Sequence, residues 1–231
     1  MNVVGILLAR TDSARLPGKV LMEIGDGRRL IDLVHLRAAR ATRLDRLVLA
    51  TTDRDCDDAL ARHAEESLGI EVFRGDPENV AGRALGCAES CEADAFVRIN
   101  GDSPFVDPEL LDEGIRLLGD SGADLVSNLL DRTYPYGVAV EVFRTETYRR
   151  VIGDFDACER EHISRHFYQN PDRFRLVSLP PSVDPGFAEI RLTVDDPEDL
   201  RTVGEIVRHL GAGAISAGYE AVATLARALQ G

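Results

Sequence analysis

Four short apolar-rich runs punctuate the first hundred residues: Val3–Leu8, Arg46–Thr51, Ile70–Arg74 and Ala95–Asn100. Runs this short, rich in Val, Ile and Leu, read as strands buried on both faces of a sheet. Between them, Arg29–Arg43, Asp55–Leu68 and Pro77–Cys91 carry apolar residues at helical spacing. Pro108–Leu118 adds a helix, with Asp107 as its cap and a proline in its first turn. Alternating strands and helices predict an α/β protein, a Rossmann-like three-layer sandwich around a mostly parallel sheet. The second half is less regular. Val138–Phe143, Arg175–Leu179 and Glu189–Val194 read as strands, and Arg160–Tyr168, Pro197–Leu210 and Tyr219–Leu229 as helices. No repeat, low-complexity tract or linker breaks the pattern, so residues 1–231 are expected to form a single domain.

Charge narrows the partners. A formal net charge of −13 argues against nucleic acid, whose phosphates require a basic surface, while leaving room for a small anion in a local basic pocket. No apolar run approaches the ~18 residues of a membrane-spanning helix. The stretch Met1–Leu8 is apolar without a basic leader, so it reads as a first strand and the expected location is cytoplasmic. Cys87 and Cys91 share a predicted helix face, but no second Cys or His pair completes a zinc site, so free thiols are expected. Lys19 is the only lysine among 27 basic residues. Lysine is a compact point charge and arginine a planar fork, so a site that needs the former resists the exchange.

Three segments carry candidate chemistry, and each follows a predicted strand, where ligands of open α/β sheets sit. After the first strand, Ala9-Arg10-Thr11-Asp12-Ser13-Ala14-Arg15-Leu16-Pro17-Gly18-Lys19 combines three cations with backbone donors near Ser13 and Gly18. That mixture suits a triphosphate, although the spacing is not that of a Walker loop. At the end of the fourth strand comes Arg98-Ile99-Asn100-Gly101-Asp102-Ser103-Pro104-Phe105-Val106-Asp107-Pro108, with Asp102 on a glycine turn where a carboxylate can hold Mg²⁺ against phosphates. Downstream, Arg191-Leu192-Thr193-Val194-Asp195-Asp196-Pro197 places Asp195 as a second metal-facing carboxylate and Asp196 as a helix cap.

Together the three segments resemble the cytidylyltransferases related to CMP-Kdo synthetase, and most closely the spore-coat polysaccharide biosynthesis F-type proteins. The family patterns Q-A-R-x-x-S-x-R-L-P-G-K, T-G-D-x-P-x-x-D-P and R-x-T-V-D-x-P-E-D-L run in the same order over nearly the whole chain. The resemblance implies a nucleotide-diphospho-sugar transferase (GT-A-like) fold and a CTP site at Leu8, Ala9, Arg10, Ser13, Arg15 and Lys19. Asn100 and Gly101 would join it, with Thr52, Asp53 and Arg74 bordering the base and Arg83 reaching the nucleotide. It implies Mg²⁺ at Asp102 and Asp195, and an acceptor site at Tyr136, Glu141, His162 and Arg191. It also suggests a homodimer, with Val138–Phe143 as a contact. The sequence departs from the pattern at Leu8, where the family has glutamine, and at Gly82, where an aspartate is common. In Thr133–Phe143, Tyr136 and Ala139 replace two acids of the family's acceptor segment. A pocket that loses carboxylates loses acceptors for sugar hydroxyls and repels an anion less, so a small phosphonate stands beside a sugar acid as acceptor.

The implied reaction transfers CMP from CTP to a small anionic acceptor, with Lys19, Arg10, Arg15 and Asp102 as the catalytic set. Positioning and charge neutralisation would carry most of the rate. An acceptor already ionised near neutral pH needs no strong general base. His162 and His166 stand four apart on one predicted helix, where acceptor positioning or packing suits them better than Mg²⁺, which prefers oxygen ligands. A glycosyltransferase would carry a D-x-D motif after a mid-chain strand, and a sugar-1-phosphate nucleotidyltransferase a glycine-rich first loop; neither is present. A nucleotide-binding regulator would not need both aspartates.

Overall fold

The computed structural model describes residues 1–230. The α/β sandwich forms as the pattern predicts. Strands β1 (Val3–Leu8), β2 (Arg46–Thr52), β3 (Glu71–Gly75), β4 (Ala95–Asn100), β5 (Leu125–Ser127), β6 (Glu141–Arg144) and β7 (Leu176–Ser178) make one sheet in the order β3-β2-β1-β4-β6-β5-β7. β1 pairs in parallel with both β2 and β4, and β6 alone runs against its neighbours β4 and β5. The chain thus changes direction of winding at β1, and a crevice opens between the carboxyl ends of β1 and β4.

Helices α1 (Leu30–Ala38), α2 (Asp58–His63) and α4 (Pro108–Ser121) cover one face of the sheet. The other face carries α3 (Val80–Ser90), α5 (Thr145–Val151) and α7 (Arg165–Gln169), with the short α6 (Ala157–Glu161) before α7. A third core gathers α8 (Pro197–Leu210) and α9 (Tyr219–Gln230) against α1 and Phe105. No described helix is long and apolar enough to cross a membrane. All four cysteines are free.

Two buried charges tie these layers together. Arg37, fully buried on α1, donates to the carbonyls of Val106, Ala214 and Ala217 at 2.7–2.9 Å, and burial pulls its guanidinium down to about 10. Asp107 caps two helices at once. One oxygen accepts from Glu109 and Leu110 at the start of α4, and the other accepts from the Tyr219 N–H at the start of α9, 2.8 Å away. Asp107→Ala is expected to destabilise the fold by roughly 2–3 kcal/mol, two caps and one stranded amide, lowering the melting temperature by roughly 5–10 °C. A melting temperature unchanged within a degree or so would show that the shared cap contributes nothing.

Two sequence expectations are corrected, and one strand was not foreseen. Glu189–Val194 is not a strand of the sheet; it forms a single bridge from Arg191 to Tyr136, and its Val194 N–H donates to Asp102 O at 2.9 Å. The segment is extended because it ties the Tyr136 loop to the turn after β4. Arg160–Tyr168 is not one helix: α6 ends at Glu161, His162 adopts φ −107° and ψ 82°, and α7 starts at Arg165. His162 and His166 therefore do not share a helix face. Finally, β5 went unpredicted, because three residues carry too little periodicity to register.

Candidate active site

The crevice at the ends of β1 and β4 is an open cleft of about 430 Å³. The first loop forms one wall. Its shape is set by Gly18, whose φ of +74° is the left-handed region that favours glycine, and whose N–H donates to Thr11 O at 2.7 Å. The loop is then anchored from the turn after β2. Asp57, fully buried, accepts from both the amide and the hydroxyl of Thr11 at 2.7 Å and from the Thr52 hydroxyl. Burial pushes the Asp57 carboxyl up, but the hydrogen bonds from Thr52 and Thr11 outweigh it and hold it below the usual carboxylate range. The cleft floor narrows at Gly101, whose N–H donates to Leu8 O at 2.9 Å; a Cβ there would stand 2.6 Å from that of Ala9.

Lys19 lies at the centre of the charge arrangement. It opens the turn after Gly18, and its side chain is only 9% exposed. Its ammonium donates to Asp102 Oδ2 at 2.8 Å, Val194 O at 2.7 Å and Asp195 Oδ1 at 3.2 Å, using all three of its hydrogens. The Arg15 guanidinium reaches Asp195 Oδ1 at 2.8 Å and Arg191 also pairs with Asp195. Partial burial raises the Asp195 carboxyl, yet Lys19 and then Arg15 and Arg191 outweigh it and hold it below the usual range.

The donor set fits a hard divalent cation. Asp102 and Asp195 each bring an oxygen within 3.2 Å of one point, the Lys19 ammonium. Two carboxylates, with water and phosphate oxygens completing the shell, match how Mg²⁺ is commonly held. Among the described residues no three His, Cys, Asp or Glu side chains converge.

The cleft gathers Leu8, Ala9, Arg10, Ser13, Arg15 and Lys19 from the first loop, together with Arg83, Asn100, Gly101, Asp102 and His162. Arg83 is buried on α3 and donates to Asp76 O at 2.8 Å; burial, with Arg10 nearby, lowers its guanidinium. Asp195 joins the site through Lys19 and Arg15. The remaining expected residues do not line the cleft. Thr52 is fully buried against Asp57, the Asp53 amide donates to Gly75 O at 3.0 Å, and Arg74 pairs with Asp58 at 2.5 Å. Tyr136, 43% exposed, has the guanidiniums of Arg132 and Arg191 over its ring, 4.7 and 4.8 Å from its centre. Glu141 is fully buried behind the cleft, 2.7 Å from Arg98.

Sequence reasoning gave no role to Arg98, the first residue of the second motif, which does line the cleft, and none to Asp57, which holds the loop. A charge inside a buried strand, two residues before Asn100 and on its face, was the available signal for Arg98. Asp57 lies within an acidic run and gave none.

A winding reversal at β1, a cation-rich loop after it and carboxylates beyond β4 define a nucleotidyltransferase. The chain belongs to the cytidylyltransferase family, whose model matches residues 4–205. It is 34% identical over 215 residues to the spore coat polysaccharide biosynthesis protein SpsF of Bacillus subtilis, covering 91% of this chain and 88% of that one. Among solved structures it is similar to a cytidylyltransferase from Leptospira borgpetersenii, with a TM-score of 0.92, 26% identity and coverage of 100% of this chain and 95% of that one. It shares its fold with a CMP:2-keto-3-deoxy-manno-octonic acid synthetase complexed with CTP, with a TM-score of 0.69, 16% identity and coverage of 90% and 99%.

Proposed function

We propose that this cytidylyltransferase moves CMP from CTP to a small anionic acceptor and releases pyrophosphate. The observation that carries the reading is the convergence of Asp102, Asp195 and the sole lysine, Lys19, at the mouth of the cleft. An acceptor oxygen forms a bond to the α-phosphorus, the bond from that phosphorus to the bridging oxygen breaks, and pyrophosphate leaves with the electron pair. Arg10, Arg15 and Lys19 hold the triphosphate and neutralise the departing charge. Asp102 and Asp195 would hold Mg²⁺, which when bound offsets negative charge on the phosphates. Ser13 and the Gly101 turn let the backbone approach the nucleotide, and Arg83 closes the cleft from α3. A phosphonate oxygen is already ionised near neutral pH and attacks without a base, whereas a sugar acid attacks through a hydroxyl whose proton passes to water in the open cleft; the one histidine of the cleft, His162, is exposed on the wall.

The acceptor is a sugar acid or a phosphonate. The relative complexed with CTP is named for a sugar acid, whereas Tyr136 and Ala139 remove two acids expected of a sugar-acid pocket. The test is a screen for CTP-dependent pyrophosphate release with Mg²⁺ against nonulosonic acids, Kdo-type acids and small phosphonates. Release that depends on CTP and on one acceptor class is expected; equal release with UTP or GTP, or turnover of a nucleotide-sugar instead, would overturn the reading.

A further inference from the structure

Arg98 projects from β4 on the same face as Asn100, and two of its three guanidinium nitrogens are already fixed. Nε donates to Asn100 Oδ1 at 3.1 Å, and Nη1 lies 2.7 Å from Glu141 Oε2 and 3.4 Å from Ser164 Oγ. Glu141 is fully buried, and its other oxygen accepts from the Tyr168 hydroxyl at 2.5 Å, which in turn meets Ser127 Oγ at 2.7 Å. This chain from β5 through α7 and β6 has no partner in the chemistry proposed above. Its effect is to lock one guanidinium in place at the cleft wall.

Nη2 is the part left over. It has no protein partner among the described residues, and Arg98, 20% exposed, borders the cleft. It offers two N–H groups and no acceptor. Arg98 extends from β4, which lies between β1 and β6, whereas the first loop follows β1 and Arg83 lies on α3. Glu141 is consumed by Arg98 and Tyr168, so the acceptors left on the cleft are those of Asn100, Asp102 and Glu161, while Nη2 presents donors alone. A polyol requires both; an oxyanion requires donors alone.

We propose that Arg98, held by Asn100 and by Glu141, which Tyr168 holds in turn, is the subsite that binds the acceptor's oxyanion, a carboxylate or a phosphonate. The inference rests on the cytidylyltransfer reading and deepens it. It explains why Glu141, expected to touch the acceptor, is buried: it acts through Arg98 as a positioning residue.

The test loads the full chain with Mg²⁺ and the α,β-methylene analogue of CTP, so that the phosphate contacts are already filled. Acetate is titrated in one arm and methylphosphonate in the other, with binding read by NMR. Removing Arg98 alone would strand the buried Glu141 carboxylate and can misfold the chain, so the variant is the double Arg98→Gln, Glu141→Gln, checked for folding by its melting curve. At least one anion should saturate the wild type, and its dissociation constant should rise about tenfold or more in the double variant, while that of the CTP analogue stays within about threefold. The arm that saturates identifies the oxyanion. Saturation by neither anion up to roughly 100 mM, or a smaller rise in the double variant, overturns the subsite. Failure of the CTP analogue to bind the wild type would instead defeat the cytidylyltransfer reading itself.

Discussion

Lys19→Met is expected to lower turnover by about three orders of magnitude and, at the same time, to tighten Mn²⁺ binding in the absence of nucleotide. The first effect follows from losing a fixed charge at the triphosphate, worth about 4 kcal/mol in a water-poor site. The second follows from the geometry around the ammonium. Lys19 holds Asp102, Asp195 and the Val194 carbonyl together, and so occupies the point where the two carboxylates converge. With the charge gone, two facing carboxylates repel each other and gain by sharing a cation, so the nucleotide-free dissociation constant for Mn²⁺ should fall about tenfold. Methionine keeps most of the buried stem, so the fold should survive. Pyrophosphate release, a melting curve and Mn²⁺ titration by electron paramagnetic resonance read the three consequences. A folded variant with near-normal turnover would remove Lys19 from the mechanism; unchanged Mn²⁺ affinity would show that the lysine does not compete for the carboxylates.

Asp102→Asn separates metal binding from nucleotide binding. The side chain is part-exposed, and its carboxylate bonds only Lys19 and, at 3.3 Å, Ser103 Oγ, so little of the fold depends on it. The amide keeps one oxygen acceptor but loses the charge that a divalent cation needs. Turnover should fall by roughly a thousandfold, equivalent to several kcal/mol of transition-state stabilisation. Metal-free CTP binding should persist or strengthen slightly, because a negative charge near the triphosphate has gone. The stimulation of CTP binding by Mg²⁺ should disappear. Isothermal titration with and without Mg²⁺ checks both; retained Mg²⁺ stimulation would place the metal elsewhere. Asp195→Asn would be a less clean probe, because Lys19, Arg15 and Arg191 all pair with that carboxylate and would be left partly unpaired.

What could be read without a structure was what short-range physics dictates. Strands buried on both faces must be nearly continuous apolar runs, and β1, β2 and β4 lie within a residue of where those runs place them. Caps are local too, and Asp107-Pro108 and Asp196-Pro197 both open helices as expected. The segments after β1 and β4 were identifiable because a strand end at the sheet's carboxyl edge is where polar and glycine residues can meet a ligand.

The sequence by itself thus determined the α/β class, the position of the cleft and the charged residues of its first loop, since each depends on neighbours a few positions away. Only the tertiary structure decided which of those charges meet. Val194 O reaches Lys19 across 175 positions of sequence, Asp107 holds Tyr219 across 112, and Glu141 faces Arg98 because antiparallel β6 lies beside β4. Nothing in Glu189–Val194 distinguishes a sheet strand from a ribbon whose amide holds the Asp102 turn, because pairing is a property of the neighbour and not of the segment. For the same reason Glu141, read as an acceptor contact from its motif, became the buried support of a cleft residue the motif had not marked.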